Sequence, residues 1–266
     1  MMSEPPLSTH REYEAFAPFY DAFTAASDYE KWTGHVLELA TRLGLRGKRL
    51  LDLACGTGKS FIPFLERGFE VTGCDQSEAM LAEAARKAPA ATLVQADVRH
   101  LPAIGSFDLV TCFDDSLNYM LGEADLAAAL GSVARNLAPA GIALFDLNTL
   151  LAYRTTFAQD SVVVRDGTVF AWKGESSSSV PPDCRADALI HIFTPRAGGG
   201  YERVDVRHAQ RHFRCDRVRT LIAQAGLECL GVHGVEDDAR LRSELDEKRH
   251  LKVLYAVRHS KGGDLE

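Results

Sequence analysis

From Arg49 onward the chain alternates between short apolar runs and segments whose apolar positions recur every three or four residues. RLLDLAC (49–55), EVTGCD (70–75), TLVQAD (92–97), FDLVTCF (107–113) and GIALFDLN (141–148) predict strands. Between them SFIPFLERG (60–68), SEAMLAEAARK (77–87) and EADLAAALGSVARNL (123–137) predict helices. Ser77 is placed to cap the second of these, and the Pro139 to Gly141 segment to break the third near Leu137. Strands that alternate with helices imply parallel pairing in a doubly wound sheet.

The rhythm differs on either side. Before Arg49, aromatic residues gather at Tyr13, Phe16, Phe19, Tyr20, Phe23, Tyr29 and Trp32 and run into a helical pattern that ends near Leu43. After Leu151 three alternating stretches, VVVRDGTVFAW, ADALIHIF and YERVDVRHAQRHF, are separated by Asp166-Gly167, SSSSVPPD and AGGG, which predicts an inserted antiparallel sheet. A helix over 216–225, a strand over 228–233, a charged stretch and a last strand in HLKVLYAVRHS restore the α/β pattern. The predicted fold is therefore α/β: a doubly wound, Rossmann-like, mostly parallel sheet of seven strands with an inserted antiparallel sheet. Four regions follow: a helical lid and first helix (1–48), a nucleoside-binding core (49–150), the inserted sheet (151–214) and the remainder of the core (215–266).

Composition narrows the partners. A chain of 266 residues with 46% hydrophobic positions can bury a sizeable core. Its formal net charge of -7 and lack of a basic stripe disfavour nucleic acid and point to a small-molecule partner. The six cysteines are widely spaced and complete no zinc pattern, so no metal site is expected. The opening MMSEPPLSTHREYEAF lacks the basic and apolar regions of a signal peptide, and no apolar run approaches the ~18 residues that span a membrane, so a cytoplasmic protein without a membrane partner is expected.

The candidate chemistry lies in LLDLACGTGKS (50–60). A glycine-rich turn between a strand and a helix lets the backbone approach a ligand and aims helix N-terminal amides at it. The ending GTGKS imitates a phosphate-binding P-loop, but the pattern requires glycine where the chain has Leu53. The dinucleotide fingerprint fits Gly56 and Gly58 but meets Phe61 at its third glycine, which disfavours a nicotinamide dehydrogenase. What remains is DxACGTG closing one strand, with Asp75 ending the next. A carboxylate there can accept both ribose hydroxyls of a nucleoside, or merely cap the following helix.

In order and spacing, LLDLACGTG, VTGCDQSEAML, QADVRHLP and FDLVTCF resemble the class I methyltransferases that use S-adenosylmethionine (SAM) and release S-adenosylhomocysteine. The resemblance implies that Ala54, Gly56 and Gly58 hold the methionine moiety, Asp75 with Gln76 the ribose, and Asp97 with Val98 the adenine. Met80 corresponds to an apolar residue against the adenine face, or is plain core. Phe113 and Ser116 lie near the methyl-donor end. Most of the family has glycine in place of Ala54.

YEAFAPFYDAFTAASDYEKW further resembles the aromatic lid of amino-sugar N,N-dimethyltransferases and glycine N-methyltransferases, with Tyr13, Tyr20 and Trp32 as the matching positions. A sulfonium is attracted to π faces and oxygen lone pairs, and exclusion of water favours a charge-dispersing displacement. The inserted sheet resembles the platform that covers the substrate in the sugar enzymes. On its last strand Val204, Val206, His208, Gln210 and His212 share one face. His208 or His212 would orient a hydroxyl or accept a proton, and Tyr13 stands with them as a catalytic candidate. The alternative is that these histidines belong to a solvated strand or to one through which a homodimer forms. Asp114, Asp115 and Asn118 follow the fourth strand at the edge where open α/β sheets bind ligands.

The expected activity is direct transfer of the SAM methyl group to a small molecule, N-methylation ahead of O- or C-methylation. A SAM-binding regulatory protein without catalysis is the alternative of another class.

Overall fold

The computed structural model describes residues 9–260, and the side chains from residue 12 onward. The segment read for a signal peptide therefore falls largely outside the described residues.

Helix α1 (Thr9–Phe23) and helix α2 (Tyr29–Arg42) precede the sheet, the second capped by Asp28, whose side chain accepts from the Lys31 amide. Strands β1 (Arg49–Leu53), β2 (Glu70–Asp75), β3 (Thr92–Gln95) and β4 (Phe107–Cys112) pair in parallel, with α3 (Ile62–Glu66), α4 (Glu78–Lys87) and α5 (Glu123–Asn136) in the connections. The main sheet is completed by β5 (Leu137–Asn148), β10 (Leu227–Val235), β11 (Leu241–Arg242) and β12 (Lys252–His259), with α7 (Cys215–Gln224) leading into β10. Its order is β11-β10-β12-β5-β4-β1-β2-β3. The strands from β3 to β5 run parallel, whereas β12, β10 and β11 are added antiparallel. Leu50, Leu51, Leu53, Leu109, Leu144 and Leu254 are buried, as expected for central strands covered on both faces.

Two expectations need correction. The main sheet has eight strands, because Leu241 and Arg242 pair with Val235 and Gly234 inside the charged stretch. A two-residue edge strand leaves no periodicity to read. The Pro139 to Gly141 segment does not separate helix from strand either: α5 ends at Asn136 and β5 begins at once. The segment instead forms a bulge, with Phe107 opposite Leu137 and Leu109 opposite Ile142.

After α6 (Leu150–Arg154) the chain forms a separate antiparallel sheet in the order β6-β7-β8-β9, from β6 (Ser161–Arg165), β7 (Thr168–Gly174), β8 (Arg185–Pro195) and β9 (Tyr201–Arg211). Asp166 and Gly167 turn β6 into β7 with φ of 47° and 80°, the left-handed pair a two-residue hairpin requires. The face carrying Phe170, Ile190, Ile192 and Val206 is buried against Phe16 and Ala17 of α1.

Gly73, inside β2, fixes how closely the turn after β1 can approach. A Cβ there would lie 2.9 Å from Cys55 Sγ and 3.0 Å from Phe61. Gly73→Ala is expected to destabilise the fold by about 1–3 kcal/mol through overpacking. Urea denaturation checks this, and an unchanged midpoint would show that the turn can move aside.

Candidate functional site

The turn leaving β1 is built from residues held at positive φ: Ala54 at 51°, Gly56 at 52° and Gly58 at 86°. Only glycine adopts this region freely. A Cβ added at Gly56 would enter open space, whereas one at Gly58 would strike the Phe61 ring at 2.8 Å. Gly56 thus faces the space a ligand would fill, and Gly58 makes the turn. Asp75, at the end of β2, accepts from the Gly56 amide (2.8 Å) and the Ser77 amide (2.9 Å). Burial raises its pKa, and these amides pull it back down. Ser77 also caps α4 by accepting from the Met80 amide.

These groups form one wall of a cavity of about 430 Å³ at the carboxyl ends of the parallel strands. Further along, Asp97 and Val98 line the cavity after β3. Arg99, also in the wall, grips both Asp97 carboxylate oxygens. Burial opposes ionisation of Asp97, but this pairing brings its pKa below the usual range.

Helix α1 closes the opposite side. Asp21 accepts from Thr57 Oγ1 (2.5 Å) and Lys87 Nζ (2.6 Å), tying α1 to the glycine turn and to α4. Lys59, the lysine that makes the loop resemble a phosphate binder, is engaged by the Thr24 carbonyl at 3.0 Å and lies over the Tyr29 ring at 5.0 Å.

At the far end the wall is phenolic and acidic. Tyr13 donates to Tyr119 at 2.8 Å, and Tyr119 is bonded in turn to His208 Nδ1. Tyr29 donates to Asp114 at 2.7 Å. Asp114 and Asp115 both sit at positive φ (57° and 50°), a strained pair kept in place by its surroundings. Lys252 Nζ lies 2.8 Å from Asp115 and 2.9 Å from Asp146. Burial pushes the Asp146 carboxyl up to about 6 against the pull of Lys252. Gln210 of β9 donates to Asp115 and accepts from Asn148, so the inserted sheet is bolted to this corner.

Of the residues singled out from the sequence, Tyr13, Tyr20, Ala54, Gly56, Asp75, Gln76, Met80, Asp97, Val98, Phe113, Asp114 and Ser116 line the cavity. Others do not. Gly58 serves the turn, and Trp32 stands behind Phe113, edge-on at 5.3 Å, lining a neighbouring cavity instead. His208 is buried one residue behind the wall, stacked on Trp172. Desolvation drives its pKa down to about 4, so it is neutral at pH 7. His212 accepts from the Asp183 amide at 3.1 Å and packs edge-on against Tyr153, away from the cavity. Sequence reasoning did not select Tyr29, Arg99, Tyr119 or Lys252. Tyr29 stood among the aromatics already noted and Arg99 pairs with Asp97 only two residues away, whereas Tyr119 and Lys252 depend on contacts remote in sequence.

A glycine turn open at Gly56, a carboxylate ending β2 and a carboxylate following β3 fit the methionine, ribose and adenine parts of SAM. Fold and site together define a Rossmann-like SAM-binding methyltransferase. The comparisons agree: a methyltransferase domain model matches residues 50–141. The Bacillus subtilis (strain 168) protein YqeM, named in general terms as a methyltransferase, is 33% identical over 81% of this chain and 86% of its own. The dTDP-3-amino-3,4,6-trideoxy-alpha-D-glucopyranose N,N-dimethyltransferase of Streptomyces venezuelae is 29% identical over 80% of this chain and 86% of its own. Among solved structures, an S-adenosylmethionine-dependent methyltransferase from Clostridium acetobutylicum superimposes with a TM-score of 0.78 at 27% identity, covering 94% of this chain and 99% of that one. The chain belongs to the SAM-dependent methyltransferase family and is an enzyme of that kind. Among the described residues no helix is long and apolar enough to cross a membrane.

Asp75→Asn should weaken S-adenosylhomocysteine binding about 100-fold, as charge-assisted hydrogen bonds are lost. Calorimetric titration measures this, and an affinity within threefold of the parent would remove Asp75 from the ribose site. Asp52, beneath the turn, accepts from Ser60 (2.6 Å) and Thr111 (2.5 Å), and desolvation raises its pKa to about 7. The folded protein keeps this proton up to about pH 7, whereas an unfolded aspartate releases it near about pH 4. Its contribution to stability is therefore most favourable below about pH 4 and declines as pH rises to about 7. Asp52→Asn should flatten the loss of stability between about pH 4 and 7 in urea titrations; an unchanged slope would place the proton elsewhere.

Proposed function

We propose that the enzyme methylates the nitrogen of a small-molecule amine, with residues 12–32 as the lid and the inserted sheet as the cover of the acceptor. One observation carries this reading: the Asp114 carboxylate stands in the cavity wall beside Tyr13, Tyr20, Tyr29 and Tyr119. A carboxylate there attracts and orients a cationic amine, and the phenol oxygens accept hydrogen bonds from its N–H groups.

SAM, when bound, supplies an electrophilic methyl group on a sulfonium. The protein's own residues supply alignment and exclusion of water. The glycine turn, Asp75 and Asp97 fix the nucleoside; the buried apolar side chains of Phe16, Met80 and Phe113 keep the enclosure dry. An amine reacts only as the free base, so its proton must pass to water or to a nearby acceptor before attack. The relative from Streptomyces venezuelae is named for an amino sugar, which makes amino sugars the first acceptors to try.

Release of S-adenosylhomocysteine from a panel of small amines, hydroxyl compounds and carbon acids tests the reading. Turnover is expected with amines, and Asp114→Asn should lower kcat/KM for them about 10- to 100-fold, since asparagine tolerates the left-handed backbone but lacks the charge. Turnover confined to hydroxyl or carbon acceptors would overturn it.

A further inference from the structure

His208 is the most unusual buried group next to the cavity. It is 5% exposed, its Nε2 atom has no hydrogen-bond partner, and the rings of Tyr13, Phe16, Tyr119 and Trp172 surround it at centroid distances of 5.7–6.0 Å. A buried polar atom left unpaired is costly, so the arrangement calls for a reason.

Counting protons supplies one. A phenol has a single proton to donate. Tyr13 donates its proton to Tyr119. Tyr119's own proton then goes to His208 Nδ1. The opposite tautomer, with Nδ1 donating, would strand both the Tyr119 proton and the Nε2 lone pair; the one chosen strands only Nε2–H. The chain therefore runs one way, from Tyr13 through Tyr119 to His208. Beside this chain Tyr29 of α2 donates to Asp114, which likewise commits its proton to a protein acceptor.

We propose that His208 is a positioning residue: by taking the Tyr119 proton it commits the Tyr13 proton inward, so that the Tyr13 oxygen presents only lone pairs to the cavity. Tyr13 and Tyr29, both in the cavity wall, then form a pair of fixed hydrogen-bond acceptors. They select a methyl acceptor that brings N–H donors and disfavour one that offers only lone pairs. The neutrality of His208 agrees with this role, since a charged imidazole would reverse the chain. The inference rests on the amine-methylating reading above and specifies how the site recognises the amine.

Sinefungin is a direct probe, because a carbon bearing an amino group replaces the S–CH3 unit of SAM and brings N–H donors to the methyl position. S-adenosylhomocysteine lacks that group. Calorimetric affinities for both are measured with the parent, His208→Leu, His208→Asn and Tyr119→Phe. His208→Leu should lose about tenfold in sinefungin affinity while S-adenosylhomocysteine binds within about twofold of the parent, as one charge-assisted hydrogen bond is weakened. His208→Asn, whose amide oxygen can stand in for Nδ1, should restore most of the loss. Tyr119→Phe, which removes the inward acceptor of the Tyr13 proton, should reproduce it, and decides the matter if His208→Leu does not fold. A sinefungin to S-adenosylhomocysteine ratio unchanged in His208→Leu and Tyr119→Phe would overturn the proposal while leaving the cofactor site intact. Failure of the parent to bind either ligand would instead overturn the reading on which the proposal rests. A His208→Asn variant that fails like His208→Leu would also count against orientation by an acceptor at Nδ1.

Discussion

The ammonium of Lys252, held between Asp115 and Asp146, is the contact on which the phenolic, acidic end of the cavity depends. Burial alone would drive a lysine toward the neutral form, yet the facing carboxylates outweigh this and keep it charged. Asp146 belongs to β5 and Lys252 to β12, so the charge pair spans the antiparallel junction of the main sheet. Asp115 lies in the strained turn after β4, where consecutive left-handed residues would relax without such an anchor. Gln210 joins β9 to the same carboxylate, and Asn118 donates to the Arg211 carbonyl beside it. A buried polar network of this kind is costly when half satisfied and specific when complete. Here it fixes the inserted sheet over the strand ends and leaves Asp114 facing the cavity.

The two halves of the site are made differently. The cofactor half comes from local chain geometry: a turn of left-handed residues, a strand that ends in Asp75 and a helix capped by Ser77. The phenolic half is assembled from α1, the turn after β4 and β9, which meet only in the folded protein. Phenols dominate it because a tyrosine supplies a ring that excludes water and an oxygen whose proton can be directed elsewhere.

This difference explains what could be read from the chain. The parallel core was legible because five apolar strands alternate with periodic helices, and the hairpin turns of the inserted sheet announce themselves through Asp166-Gly167 and the glycine run near 198–200. The eighth strand was not, since Leu241 and Arg242 are too few to show a pattern. Alternation along β9 correctly put His208, Gln210 and His212 on one face, but it could not rank them. His208 meets a tyrosine of the turn after β4, Gln210 meets Asp115, and His212 is spent on the Asp183 amide. The role of Lys252 depends on carboxylates more than a hundred positions away in the chain, as its bond to Asp146 illustrates.

The central claim is that one cavity holds SAM with its nucleoside against β2 and β3 and its methyl end toward the tyrosines and Asp114. A crystal structure with S-adenosylhomocysteine tests this most directly. The ribose hydroxyls are expected on Asp75, the adenine beside Asp97 and Val98, and the sulfur facing the space bounded by Tyr13, Tyr20 and Asp114. A ligand whose sulfur faces away from those residues, or whose ribose bypasses Asp75, would contradict it.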